Sequence, residues 1–479
     1  SQKMSVTSLA QDPRNGHTDT WYYSAGEFLG NSASARSARY YGTGIFKSTD
    51  NGETWQRLES TLDKDKGFSG AFDYTSRIRI HPGTGNVFVA SNGFGILRST
   101  DGQTFSTVLG GRGEHLYTDI EIGPNGKLAA ALSTVSAGVE NDTTGILISN
   151  DNGDTWTNVT PDNFPDSHER TVLAFAPSNP DILYTFSYLS GEGENEEVAF
   201  FKINLGTGTA EDRSANMPDF NVNRGYVNTQ AGYNMVLGVK PDNPDFVLLG
   251  ATNLFRSRDG FATQPSTTEK NEAWIGGYGN GTSAGSDGTG SYPNQHADQH
   301  AIVFDPTNPD RVWTGHDGGL SLTGDIEATP VEWEDMNNGY NVTQYYTIDL
   351  PDVSGDNRII GGTQDNGSPF FRYSNEDQRN SAEDAFGGDG AFAQFAIRED
   401  SDINYLFLSY QNGNTYRTTL SGFTGTPSRS NLTEVKPQGA ENPLFIHPSA
   451  LDPVTKNVLY YPGERVMWRN PDVLNDAGN

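Results

Sequence analysis

The chain has 479 residues and no cysteine. This rules out disulfides and every form of cysteine catalysis, and leaves stability to a packed core. A secreted eukaryotic protein of this size would usually carry disulfides, so the absence fits a bacterial extracellular protein. Basic residues are also scarce, with 32 Lys and Arg against 61 Asp and Glu and a formal net charge of −29. Phosphate repulsion argues against a nucleic-acid partner, and the same charge argues against an anionic membrane surface. It suits solubility in salty surroundings and permits cation binding. No apolar run approaches the roughly 20 residues needed to span a bilayer, so no membrane insertion is expected. No charged segment followed by an apolar stretch opens the chain; SQKMSVTSLAQDP already reads as a strand, and the N-terminus is expected to be processed or cut. P-loop, G-x-S-x-G and H-E-x-x-H signatures are missing as well.

What the chain has instead is glycine, short strands and repetition. It holds 55 Gly, where average usage would give about 34, and the excess suits many tight turns. A unit recurs nine times: an apolar strand, a Pro/Asn/Asp turn and a second apolar strand. Its clearest copies are LAFAPSNPDILYTF around Pro177, LGVKPDNPDFVLLG around Pro241 and IVFDPTNPDRVWTG around Pro306. Looser copies lie at Pro13, Pro82, Pro124, Pro351 and Pro448, and one without proline lies near Arg398. Repetition of short strands at this spacing predicts an all-β, many-bladed β-propeller of four-stranded antiparallel blades. Residues 1–479 then form about nine modules, as one large propeller or as parts of two. Insertions are read at 59–74, 205–231 and 264–295, each between a fourth strand and the next first strand.

The third and fourth strands of several modules are joined by a recurring turn. STDNGETW (48–55) and SNDNGDTW (149–156) share the pattern S-x-D-x-G-x-T-W, STDGQTF (99–105) is one residue shorter, and SRDGFAT (257–263) is degenerate. Asp50 and Asp151 suit turn N–H groups, Gly52 and Gly153 suit positive φ, and Ser48, Thr54, Ser149 and Thr155 add hydroxyl bonds. Trp55 and Trp156 suit packing between blades, and Ser99 and Asp101 belong to the shorter copy. This pattern resembles the Asp-box, or BNR, repeat of sialidases, sortilin-type receptors and tandem-propeller xyloglucanases. The resemblance implies a structural and not a catalytic role for the box. GTGIFKSTDNGETW, HADQHAIVFDPTNPDRVWTGHDGG and RIIGGTQDNGSP further resemble large secreted surface proteins of Bacteroidota-type bacteria, commonly exported through type IX secretion. That implies an extracellular or cell-surface location and a chain that is part of a longer protein.

In such blades the second-to-third strand turns and the entries to each first strand share one face, the top. The polar residues expected there are His296, Asp298 and His300, then His316 and Asp317, then Gln364, Asp365 and Asn366, and Asp389. Strand alternation would send 296, 298 and 300 the same way. One reading is that they build tight turns and satisfy buried strand ends. Another is a divalent-cation site, calcium or zinc, formed by His296, Asp298, His300 and Asp317. A third is a carboxylate pair for glycoside cleavage, Asp365 with Asp389 or Asp317. Tyr345 and Tyr346 suit stacking on a sugar or peptide. A standard sialidase is not expected, because Arg79-Ile80 is followed by His81 rather than proline and no arginine triad stands out. The function expected first is recognition of glycan or protein by the top face, or a scaffold role. A glycoside hydrolase of the tandem-propeller type and a structural subunit assembled with other surface proteins are the alternatives.

Overall fold

The computed structural model describes residues 5–29, 40–62, 70–139, 143–282, 290–339, 343–364, 366–372, 382–397, 404–420 and 431–475. Within them the chain forms eight four-stranded sheets and one three-stranded sheet. All strand pairs named here are antiparallel, and each sheet is made of consecutive strands, written A to D below. The fold is an all-β, many-bladed β-propeller. The chain divides into two compact units, Ser1–Asn338 and Gly339–Asn479; sheets 1 to 6 lie in the first and sheets 7 to 9 in the second.

Sheet 1 joins Val6–Gln11, Trp21–Ala25, Ile45–Ser48 and Gln56–Arg57. Sheet 6 joins Gln299–Asp305, Asn308–His316, Gly319–Thr323 and Glu334–Asp335. The strands of sheets 2, 3, 4 and 5 fall within 75–109, 118–158, 171–212 and 236–276, and those of sheets 7, 8 and 9 within 345–384, 394–434 and 450–470. Middle strands are buried on both faces, so they read as apolar runs without alternation. Val87–Ser91 and Leu128–Leu132 are buried at every position, whereas the outer strand Thr157–Asn158 is exposed. Core clusters form where consecutive sheets face each other. Phe88, Ile96, Leu128 and Leu147 join sheets 2 and 3, Tyr184, Phe200, Phe255 and Trp274 join sheets 4 and 5, and Phe246, Leu248, Val312 and Trp333 join sheets 5 and 6. In the second unit Phe370, Phe395 and Leu406 join sheets 7 and 8. Burying each such side chain contributes about 1.5–3 kcal/mol.

Several sequence expectations need correction. The long stretch at 264–295 is not a plain insertion after strand D, because strand D of sheet 5 is Trp274–Gly276 and lies inside it. Likewise 205–208 is the C–D turn of sheet 4 and Thr209–Asp212 is its strand D. The ninth repeat turns at Asp452-Pro453, where Asp452 accepts the Val454 and Thr455 N–H groups. Pro448 instead precedes its first strand, Ala450–Leu451. Arg398 lies outside the described residues.

The C–D turns share one bonding cycle. Ser48 Oγ donates to Asp50 at 2.7 Å and accepts the Gly52 N–H at 2.9 Å. Thr54 donates its N–H and its hydroxyl to the same Asp50 carboxylate. Ser149, Asp151, Gly153 and Thr155 repeat the cycle, and Ser99 and Asp101 form its shorter version with Gln103 and Thr104. The degenerate copy closes the same way, with Ser257, Asp259 and Thr263. Trp55 packs edge-on against Tyr23 of its own sheet, while Trp156 packs on the cluster between sheets 2 and 3.

These bonds hold the carboxyls of Asp50 and Asp151 down, to about 2, the Thr54 and Thr155 hydroxyls being the largest cause. A carboxyl lowered on folding stabilises the native state above its unfolded pKa of 3.8 and loses that contribution as pH falls through about 2. Acid unfolding followed by circular dichroism should therefore begin at higher pH in an Asp50→Ala/Asp151→Ala variant than in the wild type. An unchanged acid limb would show that the boxes do not contribute to it.

Candidate functional site

In the first unit, strands A of successive sheets pack side by side, and their entries surround a single open pocket. Its volume is about 320 Å³, and all six sheets line it. Sheet 1 supplies Ser5, Thr7 and Glu27, sheet 2 Thr75 and Asn92, sheet 3 Tyr117, sheet 4 Arg170, sheet 5 Tyr233, and sheet 6 His300 and Asp317. These residues come from strand A entries and B–C turns, so the pocket opens on the top face.

Glu27 is placed by its neighbour Gly26. Gly26 has φ +105, and a Cβ there would lie 2.1 Å from the Asp73 carbonyl oxygen, so only glycine lets the chain pass this close to the entry of sheet 2. Backbone bonds from Gly26 to Ser5 and between Glu27 and Tyr40 fix the turn. Burial raises the Glu27 carboxyl above its ordinary range, and the nearby charge of Asp317 adds to this. The Ser5 hydroxyl, His300 and Arg170 oppose the shift. Opposite, His300 Nε2 and the Asp317 carboxylate are 2.7 Å apart, and Tyr233 meets the His300 ring edge-on with centroids 5.1 Å apart. Arg170 donates to the Gly232 and Tyr233 carbonyls at 2.7 and 2.5 Å. Burial lowers its guanidinium from the ordinary value.

Of the residues singled out from sequence, only His300 and Asp317 line this pocket. His296 and Asp298 do not share a strand face with His300, because strand A of sheet 6 starts at Gln299 and Asp298 has φ 65. Asp298 is buried beneath the pocket wall, where it accepts Asn234 Nδ2 at 2.5 Å and Gln230 Nε2 at 3.0 Å. Burial first, then the Asp317 charge, pushes it up to about 6. His296 faces the ring of His316 with centroids 6.0 Å apart. His316 pairs with the Ser321 hydroxyl at 2.8 Å, and burial holds it down at about 4. Of the four residues read as cation ligands, only His300 and Asp317 pair with each other, while the side chains of His296 and Asp298 turn to other partners. Among the described residues, no group of three or more His, Asp and Glu side chains is arranged to hold a metal ion.

The remaining candidates lie in the second unit. Asp365 is outside the described residues. Gln364 and Asn366 form the B–C turn of sheet 7, with Asn366 donating from both its N–H and its side chain to the Gln364 carbonyl. Asp389 does not start a strand. It precedes Gln394–Ala396, is buried, and accepts from Gln411. The Tyr345 ring lies over Gly361 of the next strand, where a Cβ would come within 2.5 Å of it. Tyr346 beside it is half-buried.

Glu27, Arg170, Tyr117 and Tyr233 escaped the sequence reading. Three of them precede a strand A, the position that drew attention to His300, and the same rule applied to every repeat would have found them. Glu27 carries no such signal.

This geometry sits on a known architecture. Over 98% of this chain and 70% of its own, a GH74 enzyme from Niastella koreensis superposes with TM-score 0.51 at 18% sequence identity. The chain has a β-propeller fold. A GH74 xyloglucanase from Xanthomonas campestris matches 98% of this chain and 79% of its own at 12% identity and TM-score 0.37. The Dos1 propeller matches 85% and 89% at 11% identity and TM-score 0.39. No protein-family model matches the chain, and no curated protein matches its sequence.

Proposed function

We propose that the first unit binds a hydroxyl-rich ligand, the end of a glycan chain, in its top-face pocket. The observation carrying this reading is that six sheets deliver short polar side chains, two tyrosines, one arginine and two carboxylates to one cavity of about 320 Å³. That is the low end of the range of small-molecule sites. Such a lining offers donors and acceptors on all sides, with aromatic rings for a sugar face. The absence of cysteine and the net charge of −29 support work outside a bacterial cell, at its surface or in an assembly there, and the C–D turns support kinship with Asp-box propellers. The test is calorimetric titration with a panel of oligosaccharides that includes xyloglucan fragments. Wild-type protein should bind at least one of them, and His300→Ala should weaken that binding about tenfold or more, or about 1.4 kcal/mol. Binding to none of the panel, or equal binding by the variant, removes the pocket from recognition.

A second reading, hydrolysis of the bound glycan, is favoured by Glu27. Its raised carboxyl shares the pocket with Asp317, which faces His300 at 2.7 Å, and acid–base cleavage of a glycosidic bond requires two carboxyl groups, one to give a proton and one to accept it. Glu27 would give its proton to the leaving oxygen as the C1–O bond breaks. Water would add at C1, and its proton would pass to Asp317. The GH74 fold is compatible with this chemistry.

A further inference from the structure

We propose that Asp298 is the positioning residue of the pocket, holding the 228–235 segment and the Asp317–His300 pair in register through its carboxylate and its backbone. The inference rests on the reading of this pocket as a ligand site.

Four elements meet at Asp298. Its carboxylate accepts from Gln230 and Asn234, both in the 228–235 segment. Its backbone N–H donates to the Thr252 carbonyl in the B–C turn of sheet 5, and its carbonyl accepts the Asp317 N–H at 3.2 Å in the B–C turn of sheet 6. His300, two residues on, closes the arrangement on Asp317. The 228–235 segment cannot hold its shape by backbone preference, since Gln230 and Ala231 have φ 50 and 57. It is pinned from one side by Glu196, which accepts the Thr229 N–H and hydroxyl and the Ala231 N–H. From the other side it is pinned by Asp298. Between these pins the segment presents Tyr233 to His300 and its carbonyls to Arg170. Asp298 is nearly fully buried, as is Asn234. Removing the acceptor would strand the Asn234 amide where water cannot replace it and release the half-buried Gln230.

Hydrogen–deuterium exchange tests this without any ligand. Asp298→Ala should raise exchange at least tenfold in 228–235 and 316–318 and leave Thr171–Ala176 and Asn179–Ser190 unchanged. Asp298→Asn should stay within about twofold of wild type, because its amide oxygen still accepts and asparagine tolerates positive φ. Asn234→Leu, which removes a donor from the other side, should copy Asp298→Ala and decides the matter if that variant does not fold. Affinity for a xyloglucan heptasaccharide should fall about tenfold in Asp298→Ala and persist in Asp298→Asn. Wild-type exchange in Asp298→Ala or Asn234→Leu overturns the proposal. So does accelerated exchange through the core strands in every variant, which would make Asp298 a general packing residue. If no oligosaccharide binds the wild type, the functional reading falls alone, and the exchange pattern still decides the role of Asp298.

Discussion

Glu27→Gln is expected to cut glycoside turnover by roughly 10²- to 10⁴-fold, the usual contribution of a positioned general acid, while leaving oligosaccharide affinity within a few-fold. Glutamine keeps the shape and the hydrogen bond to Ser5 but cannot release a proton to a leaving oxygen. The pH profile gives a second, independent readout. Burial and the neighbouring Asp317 hold the Glu27 carboxyl above the ordinary carboxylate range, so it keeps its proton to a higher pH than a surface glutamate. A proton donor works only while protonated. Turnover should therefore fall as pH rises through that raised value, and the fall should vanish in Glu27→Gln. Asp317→Asn should be as severe, because an amide oxygen can still face His300 but cannot take the attacking water's proton. Full activity in Glu27→Gln would remove Glu27 from the chemistry. Tight binding with no turnover in wild-type protein would leave the pocket a recognition site. That result is informative because binding and cleavage then separate on one set of residues.

The elements legible in the sequence are those whose physics is local. Pro/Asn turns and short apolar strands repeat because each blade must solve the same problem, and nine sheets follow from nine repeats. The box at 257–263 looked degenerate, yet it forms the full cycle. The cycle asks only for a serine two residues before an aspartate and a threonine three or four after it, and Phe261 takes φ 60 where the two full copies use glycine. The pocket is different, because it depends on residues almost a whole unit apart in sequence. His300 and Asp317 were found because they sit beside a conspicuous repeat. Glu27 sits in an irregular connection, and only the gathering of sheets 1 to 6 around one cavity brings it into the same pocket as Asp317. Strand alternation misled at Asp298, because a residue with φ 65 is not on a strand. The period-2 rule was carried one turn too far toward the N-terminus. The resulting picture of converging His296, Asp298 and His300 placed ligands where the structure has a buried support.

Arg256→Met is expected to destabilise the first unit by about 2–5 kcal/mol, since each buried acceptor left without its donor costs about 1–3 kcal/mol. Arg256 is fully buried in strand C of sheet 5, Leu254–Ser257. Its Nε donates to the Glu272 carbonyl at 2.9 Å, and Nη1 donates to the Ile326 and Ala328 carbonyls at 2.6 and 2.8 Å. Nη2 reaches Thr329 Oγ1 at 3.1 Å. Burial, with repulsion from Arg258, pulls its pKa to about 10. It remains charged at neutral pH, and the carbonyls of the sheet 6 C–D turn serve as its solvent. Methionine matches much of the volume and none of the donors, so those carbonyls would be buried without partners. Lysine carries the charge but not the planar fork, and Arg256→Lys should recover only part of the loss. Urea unfolding of the three proteins checks the ranking. A loss below 1 kcal/mol in Arg256→Met would mean that water enters the turn and replaces the guanidinium. The same arginine ties sheet 5 to sheet 6, which carries His300 and Asp317. Arg256→Lys should therefore weaken oligosaccharide binding at temperatures where it is still folded, coupling the stability of one blade contact to the shape of the pocket.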